Sequence, residues 1–505
     1  MLSILNQRPS RLPGYRPISS RDQTERGDPI VDDISADNVR RKIDRNILPL
    51  MMSLYGVQYL DKATLGRAAV LGFIEDNNLS VNQFNWLGAI IYLGYLLFAF
   101  PQNIALQHAP VGKWISLNIW GIAMVLQSLR LPYVGLLACR FVLGVCEGSI
   151  TSGFLMVTSM FYTKSEQSSR VGYWFLMNGV AQIISNLMGY GSLHFKSNLL
   201  APWQWFTLIN GVLTFATALA FYLYFPDSIS TSRFLTEEEK RIAAERVSEH
   251  ETNAENKEWK PEQFKEALYD PKTWLFASFS LFNNIPTSIG IQRSLIVESL
   301  GFTRLQTTLL GTLDGVIEII TIYTGVKLVE YFGYSRAYVG STYMVSDVLS
   351  AILVTTLPWS KKTGLLISIY LTGMCLMLPG CVFLRFFQIS GLLGMSWVLL
   401  GLLQVQLGIQ NAQLDSTQAI MLSAYCAGNL IGPHMWQEKY KPRNRIPWFI
   451  IGTCYSCCIV LLLVIRRRLQ KENHRRDLMV EEPDDYVFTE TDLTDIQNPK
   501  FRYVL

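Results

Sequence analysis

The chain is short of charge. Only 17% of its 505 residues are Asp, Glu, Lys or Arg, against roughly 25% in a soluble domain. Its five histidines lie near span ends or in polar segments and suggest no catalytic or metal-binding cluster. The eight cysteines mostly sit inside apolar runs, as at Cys454, Cys457 and Cys458, without the spacing of metal ligands, so they read as packing residues. No G-x-x-x-x-G-K-[ST] phosphate loop is present, which removes that route to ATP-driven work. No convergent Ser-His-Asp or metal motif points to an enzyme, and no cofactor is expected. A formal charge of +4 gives no basis for a nucleic-acid partner. The first residues, MLSILNQRPSRLPGYRP, lack an apolar core long enough for a cleaved leader.

What the chain has is apolar length. Half of it is hydrophobic, in runs that repeatedly exceed the ~20 residues needed to cross a hydrocarbon core of about 30 Å. The pattern predicts an all-α membrane protein seated in a lipid bilayer. Spans are expected at about 46–73, 84–106, 113–129, 133–162, 172–195 and 205–225, then 273–300, 307–331, 337–357 and 447–465, with residues 364–433 holding two or three more. Arg40, Arg41, Lys42 and Arg45 before the first span, and Arg466, Arg467 and Arg468 after the last, place both ends inside. An even count follows, which favours two spans in 364–433 and twelve in all. Lys439, Lys441, Arg443 and Arg445 would then face outside, against the rule.

The expected organisation is a disordered cytoplasmic tail over 1–45, a six-helix bundle over 46–226, and a cytoplasmic linker over 227–272. A second six-helix bundle over 273–466 and a cytoplasmic tail over 467–505 complete it. The capping pattern Thr236-x-x-Glu239 marks a helix within the linker. Two six-span halves suit a secondary transporter, with a central site between them and alternating access.

The fourth span carries the sharpest signal. YVGLLACRFVLGVCEGSITSGFLMVTSMFY is long enough to cross, yet contains Arg140 and Glu147. Seven residues apart, they share a helix face about 10 Å apart, with Gly144 and Gly148 beside them. A charge at the bilayer centre costs roughly 2.5–3.5 kcal/mol on insertion scales. One reading is a helix lining a polar pathway. The other is that Arg140 snorkels to the interface and Glu147 pairs inside the bundle. An arginine in an uncharged setting can hold a carboxylate bidentately. Glu147 is a candidate proton carrier, since burial disfavours the charged carboxylate.

Other polar residues sit within spans. Asp61 and Lys62 form a gate or pair with neighbours across the bundle. Asn283 and Asn284, beside the helix-breaking Pro286, either reach substrate or bond between helices. Asp314 and Glu318, four apart, share a face near the cavity or its mouth. Asp347 and Arg385 are weaker candidates.

Together these residues make the chain resemble the major facilitator superfamily and, within it, the anion:cation symporters. RKIDRNILPLMMSLYGVQYLDKATLGRA resembles that family's stretch ending Leu-Asp-Arg-x-Asn-Ile-Gly, with Lys62 in place of its arginine. Arg140 to Glu147 resembles R-F-x-L-G-x-x-E. WQWFTLINGVLT, FPDSISTSRFLTEEEKRIAAERV and AYCAGNLIGP resemble further family segments. FNNIPTSIGIQRSLIVESLGF and LQTTLLGTLDGVIEI are similar to the allantoate permease branch. HAPVGKW lacks the superfamily's Gly-x-x-x-Asp-Arg motif, the stretch 407–415 lacks Gly-x-Thr-Lys-Arg, and 378–405 is longer than the pattern allows.

The resemblance implies a major facilitator fold and proton-coupled uptake of a small organic anion, such as allantoate, ureidosuccinate, nicotinate or a vitamin-like carboxylate. Arg140, Asn283 and Asn284 would bind substrate. Glu147 and Asp61 would couple protons, and Lys62, Asp314 and Glu318 would gate. The protein would be a plasma-membrane monomer. Efflux of a secondary metabolite by the same fold, or a non-transporting nutrient sensor, are the alternatives.

Overall fold

The computed structural model describes residues 33–479, except 109, 116–118, 149, 196–198, 249–264, 267, 333–335 and 373–411. The tails at 1–32 and 480–505, Arg385 and all of the long stretch at 378–405 therefore lie outside the described residues. Everything described is helix or turn, with no strand.

The first half runs α1 (Asp33–Ala68), α2 (Val81–His108), α3 (Val111–Ile115), α4 (Ile119–Gln127), α5 (Tyr133–Glu147), α6 (Ile150–Phe161), α7 (Lys164–Ser192) and α8 (Pro202–Tyr224). A linker helix, α9 (Glu237–Ser248), follows. The second half runs α10 (Pro271–Asn284), α11 (Ile289–Ser299), α12 (Arg304–Leu310), α13 (Thr312–Phe332), α14 (Arg336–Thr356), α15 (Lys362–Leu371), α16 (Ala412–Ile431) and α17 (Arg445–Met479). α10 leads through the turn at Pro286–Ser288 into α11, and α12 is followed directly by α13.

Local chemistry sets several boundaries. The Thr236 backbone N–H donates to the Glu239 carboxylate at 2.8 Å, and the Glu239 N–H donates to Thr236 Oγ1 at 3.3 Å. This closes the capping box at the start of α9. Pro286 ends α10, and a 3-10 turn, Pro286–Ser288, leads into α11. Pro286 has no N–H to continue the helical ladder. Within the expected fourth span, α5 ends at Glu147 and α6 begins at Ile150.

The expected disordered N-terminal tail is corrected over its last residues. α1 begins at Asp33, well before Asn46. Val39, Ile43, Ile47 and Met51, four residues apart, are all buried on one face, while Arg40, Arg41, Lys42 and Asp44 take the other faces. Lys42 pairs with Glu239 at 2.6 Å, and Asp44 with Arg170 at 2.8 Å. At the other end, α17 continues past Arg466 to Met479, with Ile465 and Leu469 packed against Phe276.

Among the described residues, three helices are long and apolar enough to cross a membrane by length and composition: Pro202–Tyr224, Arg304–Thr324 and Arg445–Leu478. The remaining passes carry polar residues that face other helices. Across the halves, α7 packs on α13, α2 on α16 and α1 on α11. The α7–α13 crossing is backbone-close: a Cβ at Gly179 would stand 2.7 Å from the Gly315 carbonyl oxygen, and one at Gly315 would collide with the Gly179 carbonyl.

The halves are sealed at the end of the bundle away from the linker. Arg67, in the last turn of α1, donates to Ser294 on α11 at 3.2 Å and stands 4.0 Å from Asp314 on α13. Asn85 on α2 donates to the Trp436 carbonyl at 2.6 Å and accepts from Gln292 at 3.1 Å. Asn186 donates to the Gly311 carbonyl at 2.9 Å. Arg304 reaches Glu75 at 3.7 Å.

Candidate functional site

Below that seal, between the halves, lies a cavity of about 140 Å³. α1 contributes Tyr55, Tyr59 and Lys62, α2 contributes Tyr92, α5 contributes Arg140, and α7 contributes Asn178 and Gln182. The second half closes it with Thr287, Ser288 and Ile291 from the turn and start of α11, and with Tyr425 and Asn429 from α16. The Pro286 break lets backbone and short polar side chains approach the cavity there.

Two cations therefore face one space. Arg140 is 2% exposed, and its Nη1 has no hydrogen-bond partner among the described residues. Lys62 lies over the Tyr95 ring, 5.2 Å from its centroid. Burying two cations costs several kcal/mol each, which the Glu147 carboxylate within electrostatic reach of both offsets only in part. An anion in the cavity would offset that cost, and the low local dielectric strengthens the attraction.

Glu147 ends α5 behind this pair, at 1% exposure. The Tyr95 hydroxyl donates to its Oε2 at 3.1 Å and Gln58 donates to its carbonyl at 3.3 Å, while Oε1 has no partner among the described residues. The carboxylate is within electrostatic reach of Lys62 and Arg140. Glycine sets this geometry. A Cβ on Gly94 would stand 2.7 Å from the Phe141 carbonyl oxygen, and one on Gly144 would collide with the Ile91 carbonyl. α2 and α5 cross backbone to backbone, which delivers Tyr95 to Glu147.

The other sequence candidates separate. Asp61 turns away from the cavity and accepts from Thr214 Oγ1 on α8 at 3.0 and 3.1 Å. Lys62, expected as a gate, lines the cavity, because adjacent residues on a helix point in different directions. Asn283 and Asn284 are buried but do not line the cavity. Asn284 donates to the Ser280 carbonyl at 2.7 Å and accepts from Asn429 at 3.2 Å, so it braces α10 against α16. Asp314 pairs with Arg293 at 2.5 Å as well as facing Arg67. Glu318 is one turn further along α13, half-buried, within reach of Asp314 and Arg293. Asp347 is buried in α14, away from the cavity lining.

These features place two helical halves around one polar cavity, and the comparisons with known proteins agree. Residues 51–433 match the family model described as Major Facilitator Superfamily. The chain belongs to the Major Facilitator Superfamily. This transporter is 31% identical over 473 residues to the thiamine pathway transporter THI73 of Saccharomyces cerevisiae, covering 92% of this chain and 86% of that one. It is 29% identical over 489 residues to the allantoate permease of the same yeast, again covering 92% and 86%. Those relatives set it with the allantoate permease-like branch. It is a membrane transporter and not an enzyme. Among solved structures, the xylose transporter XylE of E. coli in a partially occluded inward open conformation superposes with a TM-score of 0.58 at 14% identity, covering 82% of this chain and 97% of that one. A bacterial homolog of the human lysosomal transporter Spinster, inward-facing and unoccupied, gives 0.55 at 13% identity, covering 86% and 96%. At that identity the likeness establishes the fold.

Several residues of this transporter's cavity were not singled out from sequence. Asn178, Gln182 and Asn186 recur every four residues along α7 and so form one polar stripe. Asn178 and Gln182 face the cavity, while Asn186 reaches the seal. Gln182 joins the two levels: its Oε1 accepts from Arg67 at 2.5 Å, and its Nε2 donates to the Tyr59 hydroxyl at 3.3 Å. The N-x-x-x-Q-x-x-x-N spacing in an apolar span was the available signal.

Proposed function

We propose that this transporter carries a small organic anion inward across the plasma membrane, coupled to protons, by alternating access, and works as a monomer. The observation that carries this reading is the pairing of Arg140 and Lys62 on one cavity between the halves. A planar guanidinium and a mobile ammonium suit a carboxylate. The relatives named above support a small solute, and the family resemblance points to allantoate, ureidosuccinate, nicotinate or vitamin-like carboxylates.

Glu147 takes the proton. It is buried, keeps one unpartnered oxygen and lies within reach of both cations. A bound anion neutralises those cations and makes protonation of Glu147 easier, which links the two binding events. The basic clusters flanking the first and last spans place the linker side in the cytoplasm. The sealed end is then external, and the cavity empties inward.

The test is uptake of a panel of labelled small carboxylates into proteoliposomes at two external pH values. Uptake of the accepted acid rises at the lower external pH. Glu147→Gln loses uphill accumulation but keeps exchange of labelled for unlabelled acid. Accumulation that survives Glu147→Gln unchanged refutes the proton role.

A further inference from the structure

Two amides that line the cavity are bonded at both oxygen and nitrogen, and a third keeps an oxygen without a partner among the described residues. Gln182 is held by Arg67 and Tyr59. Asn429 Nδ2 donates to Asn284 Oδ1 at 3.2 Å and to the Tyr425 carbonyl at 3.0 Å, while its Oδ1 accepts from Thr287 at 2.5 Å. Asn178 differs. It is 3% exposed and lines the cavity beside Arg140 and Lys62, and its Oδ1 has no hydrogen-bond partner among the described residues. Its amide is within hydrogen-bonding reach of the Tyr55 hydroxyl. The Tyr55 ring is fixed edge-on against Trp174 at 4.7 Å and Phe175 at 5.4 Å. A buried amide oxygen without a donor is disfavoured, so the site presents cationic donors on one side and one unmet acceptor on α7.

We infer that the substrate is a carboxylate that also bears an N–H or O–H donor, and that Asn178 selects it by accepting from that donor. This rests on the anion-carrier reading above. The carboxylate meets Arg140 and Lys62, and the second group meets Asn178 Oδ1. The class is hydroxy-, amino- or amido-carboxylates, and plain alkyl acids fall outside it. The tyrosine walls of the cavity suit the flat face of an amide. A site built to pair a donor rejects an analogue lacking it far more strongly than an apolar pocket rejects an extra methyl group.

The experiment uses the full chain in proteoliposomes and pairs of probes that differ in one donor. N-acetylglycine is set against N-acetylsarcosine, and lactate against 2-methoxypropionate. A neutral pair, N-methylacetamide and N,N-dimethylacetamide, accompanies them. Rates are normalised to reconstituted protein. The wild type should carry the donor-bearing acid of each pair about tenfold or more faster than its partner. Asn178→Leu should bring that ratio within about twofold of unity, and Asn178→Ser, which keeps an oxygen acceptor, should retain a larger ratio than Asn178→Leu. Equal carriage of both members by the wild type overturns the inference, as does a ratio that survives Asn178→Leu. The wild-type ratio alone is decisive if the leucine variant does not reconstitute. Acids carried without discrimination sink this inference and leave the anion reading standing. Discrimination confined to the neutral pair and lost in Asn178→Leu sinks the anion reading and leaves the role of Asn178. Carriage of no probe overturns both.

Discussion

Replacing Arg67 with methionine should unlock the sealed end. Arg67 is on the first half, and its partners across the interface are Ser294 at 3.2 Å and Asp314 at 4.0 Å. The Arg67 and Asp314 side chains are 3% and 8% exposed, so solvent screens them little. Asp314 keeps Arg293 at 2.5 Å in either state, because both belong to the second half. The substitution therefore leaves no carboxylate stranded, and the full penalty for breaking a buried pair does not apply. What is lost is a hydrogen bond from a charged donor plus a partly shared attraction, about 1.5–3 kcal/mol. That loss falls only on the state in which the ends meet. The ratio of outward-open to outward-closed protein should rise about 10- to 150-fold, so that a 1% open population becomes roughly 10–60%. Spin labels at Asn82 and Leu305, both exposed at the sealed end, report the separation in a chain whose native cysteines have been replaced. Pulsed dipolar spectroscopy should show a second, longer distance in Arg67→Met. A distribution identical to that of the parent would refute the assignment of this cluster as a closure.

Three further outcomes are expected. Gly315→Ala places a methyl group against the Gly179 carbonyl; overpacking costs about 1–3 kcal/mol, and the same spin-label pair should again report opening. Gly144→Ala meets the Ile91 carbonyl within a single half, so it should lower the thermal midpoint of the purified protein without favouring either state. The Lys42 hydrogen bond holds the Glu239 carboxyl below its ordinary value of 4.5. A depressed carboxyl contributes stability above its unfolded value and loses it as pH falls through the folded one. The protection factors of α9 amides, corrected for the intrinsic pH dependence of exchange, should therefore be higher at pH 7 than below about pH 4.5, and Glu239→Gln should lower them at pH 7.

What could be read in the chain was what depends on near neighbours. Thr236 and Glu239 cap a helix through bonds three residues apart, and Pro286 breaks one by lacking a donor. Arg140 and Glu147 stood out because charge inside an apolar run is expensive. The start of α1 was hidden by its own charge: Arg40, Arg41, Lys42 and Asp44 read as a solvated tail, although Val39, Ile43 and Ile47 keep a spacing of four and pack on the core. Arg466, Arg467 and Arg468 masked the extension of α17 in the same way. The partners of Asp61 and Lys62 were not legible. One residue, about 100° of helical turn, separates the cavity from the α8 interface, and only the tertiary fold decides which residue faces which. Asn178 and Gln182 escaped notice because a neutral amide in a span is usually a packing bond, and Asn284 follows that rule.

The central claim is that Arg140 meets the charge of the solute. Counterflow in proteoliposomes, with no proton gradient or membrane potential, isolates binding and exchange from coupling. For any carboxylate the parent accepts, Arg140→Leu should cut exchange at low substrate by about 100-fold, the ~3 kcal/mol of a charge-assisted bidentate contact. Arg140→Lys should lie between the two. Exchange by Arg140→Leu equal to that of the parent for every accepted acid would contradict the account.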